Sequence, residues 1–144
     1  MNAPRLLVLS LSLAFGVRAE VPVAVKPVQG RSGMVVAGHP QAAAAGLEVL
    51  RAGGNAIDAA VATSLALGVA EPYGSGLGGK LMLLHFDAKT GRVTAIDGMD
   101  AAGSVDVTRW IGMPTEERST GYPSVCVPGL AAGLWTAHRR WGIK

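Results

Sequence analysis

The chain has one cysteine, few aromatic residues and few charges. Cys126 stands alone among 144 residues, so no disulfide can close within the chain. No Cys/His spacing of the kind that encloses zinc occurs either. Cys126 lies in Ser124-Val125-Cys126-Val127, an apolar run read as a short strand, and is expected as a small core residue rather than a nucleophile. Aromatic residues make up 5% and charged residues 16%, yet 49% are hydrophobic, which excludes an intrinsically disordered chain. With little aromatic bulk and 20 glycines, tightly spaced layers are expected rather than a bulky core. The formal net charge of +3 falls to +1 when Arg5 and Arg18 are set aside. No basic cluster is interleaved with aromatics. Arg139–Arg140 is the only tight basic pair and reads as a solvated helix face, so a nucleic-acid partner is not expected.

What is present begins with a segment suited to export. Arg5 supplies a positive start, Leu6 to Val17 an apolar stretch too short to span a bilayer comfortably, and Val17-Arg18-Ala19 a small-residue cleavage pattern. Residues 1–19 are expected to be a signal peptide cut after Ala19, with an uncut anchor as the alternative. The protein is therefore expected in the periplasm or secreted. Residues 20–32, rich in Val and Pro, read as an extended leader, and residues 33–144 as the folded part.

Within that part, Gly33–Ala37 reads as a strand ahead of the Gly38-His39-Pro40 turn. Gln41 to Ala52 follows helical spacing, with Ala43, Leu47 and Leu50 on one face. Gly53-Gly54 stops it. Asn55 caps a second helix, with Asp58 at its positive end and Ile57, Val61 and Leu65 as its apolar stripe. This helix must end before Pro72. Leu81–Phe86 does not alternate, which predicts a strand buried on both faces. Asp87–Gly91 reads as a turn and Arg92–Asp97 as the returning strand. Residues 98–121 read as a polar surface loop. A last helix starts at Pro128-Gly129, with Leu130, Leu134, Ala137 and Trp141 inward.

Two nucleotide-binding motifs are imitated by Gly74-Ser75-Gly76-Leu77-Gly78-Gly79-Lys80. A dinucleotide fingerprint needs a strand before its glycines and a helix after them, whereas the order here is helix, loop, strand. A phosphate-binding P-loop needs a hydroxyl where Leu81 stands. The glycines are read instead as allowing close backbone approach to a strand or ligand, or as an anion-holding nest. His39, His85 and His138 have no Ser, Cys or Asp partner at readable spacing and are expected to be structural.

Taken in order, Gly33–Ala37, the block Leu47-Glu48-Val49-Leu50-Arg51-Ala52-Gly53-Gly54-Asn55-Ala56-Ile57-Asp58-Ala59-Ala60-Val61-Ala62, Leu67–Pro72, the glycine loop, Asp87–Gly98 and Ser124–Gly129 resemble the opening of the γ-glutamyltransferase (glutathione hydrolase) family. The resemblance implies an α/β (α+β) fold, an incomplete N-terminal nucleophile hydrolase αββα sandwich. It implies a precursor that cuts itself to expose a threonine nucleophile, whose hydroxyl attacks a γ-glutamyl amide while its own amine acts as base. That threonine would lie beyond Lys144, so no catalytic residue is assigned in this chain, and the fragment alone is expected to be inactive. No cofactor or metal is implied. The implied partners are a γ-glutamyl or other small amide substrate and the remainder of the precursor.

The resemblance also places Met99 where the family carries a carboxylate-binding arginine, in Asp97-Gly98-Met99-Asp100-Ala101-Ala102-Gly103. Met carries no charge to grip a carboxylate. Lys80 stands where the family has glycine and is a candidate for a compensating positive charge. Met99 fits an acylase-like member with a non-glutamyl substrate, and a catalytically inactive or truncated relative that binds rather than cleaves is the other reading.

Overall fold

The computed structural model describes residues 27–104 and 106–144. The expected signal peptide and the first part of the leader lie outside the described residues. Residues 27–39 form no regular element, and the strand expected at Gly33–Ala37 is not formed, because among the described residues its backbone has no partner.

Two helices follow, α1 (Pro40–Arg51) and α2 (Ala56–Ala70). Pro40 occupies the first helical turn, where its missing N–H costs nothing. His39 caps α1, its Nδ1 accepting from the Gln41 N–H at 3.3 Å. At the other end Gly53 takes φ +85°, and the Gly53 and Gly54 N–H groups donate to the Leu50 and Val49 carbonyls at 3.0 and 2.9 Å. That double bond pattern around a left-handed glycine closes the helix. One residue later Asn55 Oδ1 accepts from the Ile57 and Asp58 N–H groups, while Asp58 Oδ2 accepts from the Asn55 N–H at 2.8 Å. This reciprocal capping box fixes the start of α2.

The two helices approach most closely at Gly46. A Cβ there would strike the Thr63 side chain and come within 3.0 Å of the Ala59 carbonyl and of Val35 Cγ1. The small residues therefore make the contact. Ala42 and Gly46 are the buried positions of α1, while Ala43, Leu47 and Leu50, the expected inward face, are only half-buried. On α2 the buried run is Ile57, Asp58 and Ala59, and Leu65 of the expected stripe is exposed.

β1 (Leu81–Asp87) and β2 (Arg92–Gly98) form an antiparallel hairpin with Leu81 opposite Gly98 and Asp87 opposite Arg92. Asp87 organises the turn: its Oδ1 accepts from the Lys89 N–H and its Oδ2 from the Thr90 hydroxyl, and Gly91 takes φ +69°. The expectation of a strand buried on both faces is corrected. Leu81, Leu83 and His85 are half-buried, whereas Met82, Leu84 and Phe86 are 72%, 77% and 63% exposed. The described residues supply a layer for one face only.

That layer is α5 (Leu130–Trp141), which packs on the hairpin and on α2. Leu134 and Ala137 are buried, and Leu130 and Trp141 half-buried, as their spacing predicts. The core is Ile57, Ile96 and Ala137, flanked by Leu83 and Trp141. Between hairpin and α5 the expected loop contains short structure: β3 (Ala101–Ala102), α3 (Val107–Gly112), α4 (Thr115–Ser119), a single 3₁₀ turn at Tyr122–Ser124, and β4 (Cys126–Val127). Asp106 caps α3 through its carboxylate, and Trp110 Nε1 donates to the Pro123 carbonyl at 3.2 Å. β3 and β4 make a two-residue ribbon on the surface, so Cys126 is exposed and not a core residue. No helix among the described residues is long and apolar enough to cross a membrane.

Candidate active site

The glycine loop leaves α2 at Glu71 and turns back at once. The Glu71 carbonyl accepts from both the Gly74 and Ser75 N–H groups, at 3.1 and 3.0 Å, and the Gly79 N–H closes a second turn on the Gly76 carbonyl. The Gly79 carbonyl then accepts from the Leu130 N–H at 3.0 Å, which ties the loop to the start of α5. The strand β1 follows directly, so the helix–loop–strand order that argues against a nucleotide fingerprint is the order observed.

The glycines of the loop serve different ends. Gly74 leaves room for the Glu71 carboxylate, and Gly76 lies against Gly68. A Cβ added at Gly76 or Gly78 would meet nothing within 4 Å, and neither residue has positive φ. Neither local strain nor packing among the described residues calls for glycine there. Together with Pro72, Lys80 and Leu130 the loop borders a concavity of about 530 Å³.

Lys80 borders this concavity, whereas Met99 borders a separate one of about 320 Å³ with Gly98, Gly129 and Gly133; the two residues flank the end of the ladder, where Leu81 pairs with Gly98. Lys80 Nζ lies 3.5 Å from Asp100 Oδ1, with both side chains partly open to solvent. An ion pair of this exposure contributes about 0–1 kcal/mol, so Asp100 partners Lys80 here without holding it firmly. Met99 is 42% exposed, and its N–H donates to Asp97 Oδ1 at 3.0 Å. A Cβ at Gly129 would strike the Met99 carbonyl and that of Gly98, and Gly98 also faces Gly133. Three glycines thus let the first turn of α5 sit on the end of β2 and hold the Met99 backbone in place.

A second polar cluster escaped the sequence reading. Asp58 is 5% exposed, and beyond its cap to Asn55 its carboxylate accepts from the Ile143 N–H at 3.1 Å and the Lys144 N–H at 3.3 Å. His138 Nε2 lies 3.4 Å from Asp58 Oδ1 and 2.7 Å from the Lys144 carbonyl. Burial alone would push the Asp58 carboxyl up. The N–H groups of Asn55, Lys144 and Ile143, with His138 beside them, outweigh burial and hold it below its ordinary value. His138 therefore has an acid partner that lies 80 positions away and leaves no spacing signal. His85 stacks on Trp141 with ring centroids 4.3 Å apart. Among the described residues no three His, Cys, Asp or Glu side chains converge as a metal site would require.

Comparison with known proteins identifies the family. The family model described as gamma-glutamyltranspeptidase matches residues 42–144. The chain belongs to the gamma-glutamyltranspeptidase family. It is 40% identical over 121 residues to the glutathione hydrolase proenzyme of Bacillus subtilis (strain 168), covering 80% of this chain and 21% of that protein. It is 43% identical over 129 residues to the acylase ACY 1 proenzyme of Pseudomonas sp. (strain SE83), covering 81% of this chain and 23% of that protein. Among solved structures, the gamma-glutamyltranspeptidase of Helicobacter pylori superposes with a TM-score of 0.72 at 31% identity, over 82% of this chain and 35% of that one. The chain thus has the mixed α+β fold of the gamma-glutamyltranspeptidases and spans about a fifth of the length of the curated relatives it matches.

Proposed function

We propose that this chain is the opening part of an exported gamma-glutamyltranspeptidase-type proenzyme that cleaves amide bonds. In this reading residues 1–19 direct export, and residues 33–144 supply scaffold and one wall of the acyl pocket. The nucleophile is a threonine freed by self-cleavage in polypeptide beyond residue 144. Its hydroxyl oxygen forms an ester with the acyl group, the amine leaves with a proton, and water or an amino acid then takes the acyl group.

The observation that carries this reading is the glycine loop within the matched region. Gly76 and Gly78 have no internal reason to lack side chains, so their bare backbone suits close approach by a ligand or by a neighbouring part of the precursor.

Met99 favours a non-glutamyl substrate as the second reading. At the position where the resemblance implies a carboxylate-binding arginine stands an apolar side chain, and the nearby Lys80 is paired with Asp100. Losing one partner of a buried charge pair costs about 2–5 kcal/mol. An acyl group without an α-carboxylate avoids that loss.

The test is expression of the complete reading frame. The first reading expects two subunits on a denaturing gel and release of the anilide from a γ-glutamyl anilide. Cleavage into subunits with turnover of aliphatic acyl amides only would favour the second reading. A precursor that never cuts itself and turns over neither class would sink both.

A further inference from the structure

Among the described residues Lys80 is the only charged side chain that borders the concavity at the glycine loop. It is loosely held, with Asp100 Oδ1 at 3.5 Å and the Lys80 side chain 57% exposed. The rest of the border divides by chemistry: Ser75 brings a hydroxyl, Pro72 and Leu130 bring apolar surface, and Gly76 and Gly78 bring bare backbone. Among the described residues the Gly76 and Gly78 N–H groups donate to no backbone carbonyl, whereas those of Gly74, Ser75 and Gly79 do. A Cβ at Gly76 or Gly78 would meet nothing within 4 Å, so the backbone there is open to a ligand.

The loop is fixed at both ends, by the Glu71 carbonyl at its start and by the Leu130 N–H on the Gly79 carbonyl at its close. A preformed concavity of about 530 Å³ is the size of a small-molecule site. One cation with a few N–H and O–H donors suits a carboxylate, and the apolar border suits a short carbon chain. Phosphate suits it less. Phosphate-binding loops aim their N–H groups from the start of a helix, whose dipole favours the added negative charge, whereas here a strand follows the loop.

We propose that this concavity binds the carboxylate of an acidic acyl group, with Lys80 as its charge partner and the Ser75 hydroxyl and the Gly76 and Gly78 N–H groups as further donors. The inference rests on the first reading of the chain, as part of an enzyme that cleaves γ-glutamyl amides. Lys80 is then a specificity-determining residue, and Asp100 is the competitor of the substrate. The incoming carboxylate takes Lys80 over from Asp100, and an ion pair this exposed gives way at little cost.

Two substitutions in the product of the complete reading frame test this in opposite directions. Lys80→Met is expected to raise the KM for a γ-glutamyl anilide about tenfold or more, with a smaller change in kcat. Asp100→Asn is expected to lower that KM, and Lys80→Arg to keep it near the parent value. Calorimetric titration with L-glutamate gives a readout that needs no turnover: its Kd should rise about tenfold or more in Lys80→Met and fall in Asp100→Asn. No glutamate binding, binding that Lys80→Met leaves unchanged, or a shift in the same direction from both substitutions overturns the proposal. So does inorganic phosphate that binds more tightly than L-glutamate and is lost in Lys80→Met, which would make this a phosphate site. Glutamate binding with the expected shifts, in a protein that neither cuts itself nor cleaves amides, would refute the catalytic reading and leave the carboxylate site standing. Turnover of the γ-glutamyl anilide with a KM that neither substitution moves would do the reverse.

Discussion

Asp58 joins the beginning of one helix to the main chain beyond the end of another. Its carboxylate serves the Asn55 cap and, 85 positions later, the Ile143 N–H. Bonds to a charged acceptor are worth about 1.5–3 kcal/mol, so Asp58→Asn should lower stability by about that much, measured by denaturant unfolding. The pH dependence has a definite sign. The folded carboxyl is held below its ordinary value of 3.8, so its contribution is complete above that value and is lost as pH falls through the lower folded value. In Asp58→Asn this acid loss should shrink, read as a flatter stability–pH curve below about pH 4. Half of this was legible. The Asn55–Asp58 spacing announces a helix start, but nothing local announces Ile143, Lys144 or His138. Met99 carries a functional prediction. In the precursor, Met99→Arg should raise γ-glutamyl over aliphatic acyl turnover by about tenfold or more, because a guanidinium can bind both carboxylate oxygens. An unchanged ratio would remove Met99 from the acyl pocket.

Among the helices and strands, boundaries were easier to read than faces. Gly53 in left-handed geometry, Asn55 as a cap and Gly91 in the hairpin turn all fall where residue chemistry demands them. The face of α5 was read correctly, but those of α1 and α2 were misread because the sequence argument assumed that larger apolar residues point inward. At the α1–α2 contact backbone proximity wins, so Ala42 and Gly46 face inward and the leucines flank them. Gly46→Ala should therefore cost about 1–3 kcal/mol, since a methyl group there meets Thr63, the Ala59 carbonyl and Val35 together. An unchanged melting temperature would mean the helices part easily. The hairpin failed differently. A continuous apolar run does signal burial on both faces, but the second face is not covered by any described residue. Leu84→Lys, on that open face, should reduce self-association of the chain, read as a lower mass by light scattering. An unchanged mass would mean that face is not the one that associates.

For the molecule as a whole, the open apolar surface dominates behaviour. Met82, Leu84, Phe86 and Val93 form one patch on the outer side of the hairpin, and Met34 and Val36 are exposed on the segment preceding α1. Contiguous apolar surface and unpaired strand edges favour self-association. A product of residues 20–144 should elute from size-exclusion columns as oligomers or aggregates, with light scattering to measure mass. A monomer that unfolds cooperatively would contradict this. The family was legible because the Gly53–Ala62 block is long and specific. The uncovered face of the hairpin was legible only as the continuous apolar run Leu81–Phe86.

The bond between Asp58 and the Lys144 N–H also bears on how the protein is handled. A purification tag or fluorescent fusion appended directly after Lys144 would begin on main chain that a buried carboxylate already grips, at 3.3 Å. Main chain that continues past Lys144 sets out from a point held against the start of α2. Attachment through a spacer of several flexible residues leaves that grip intact.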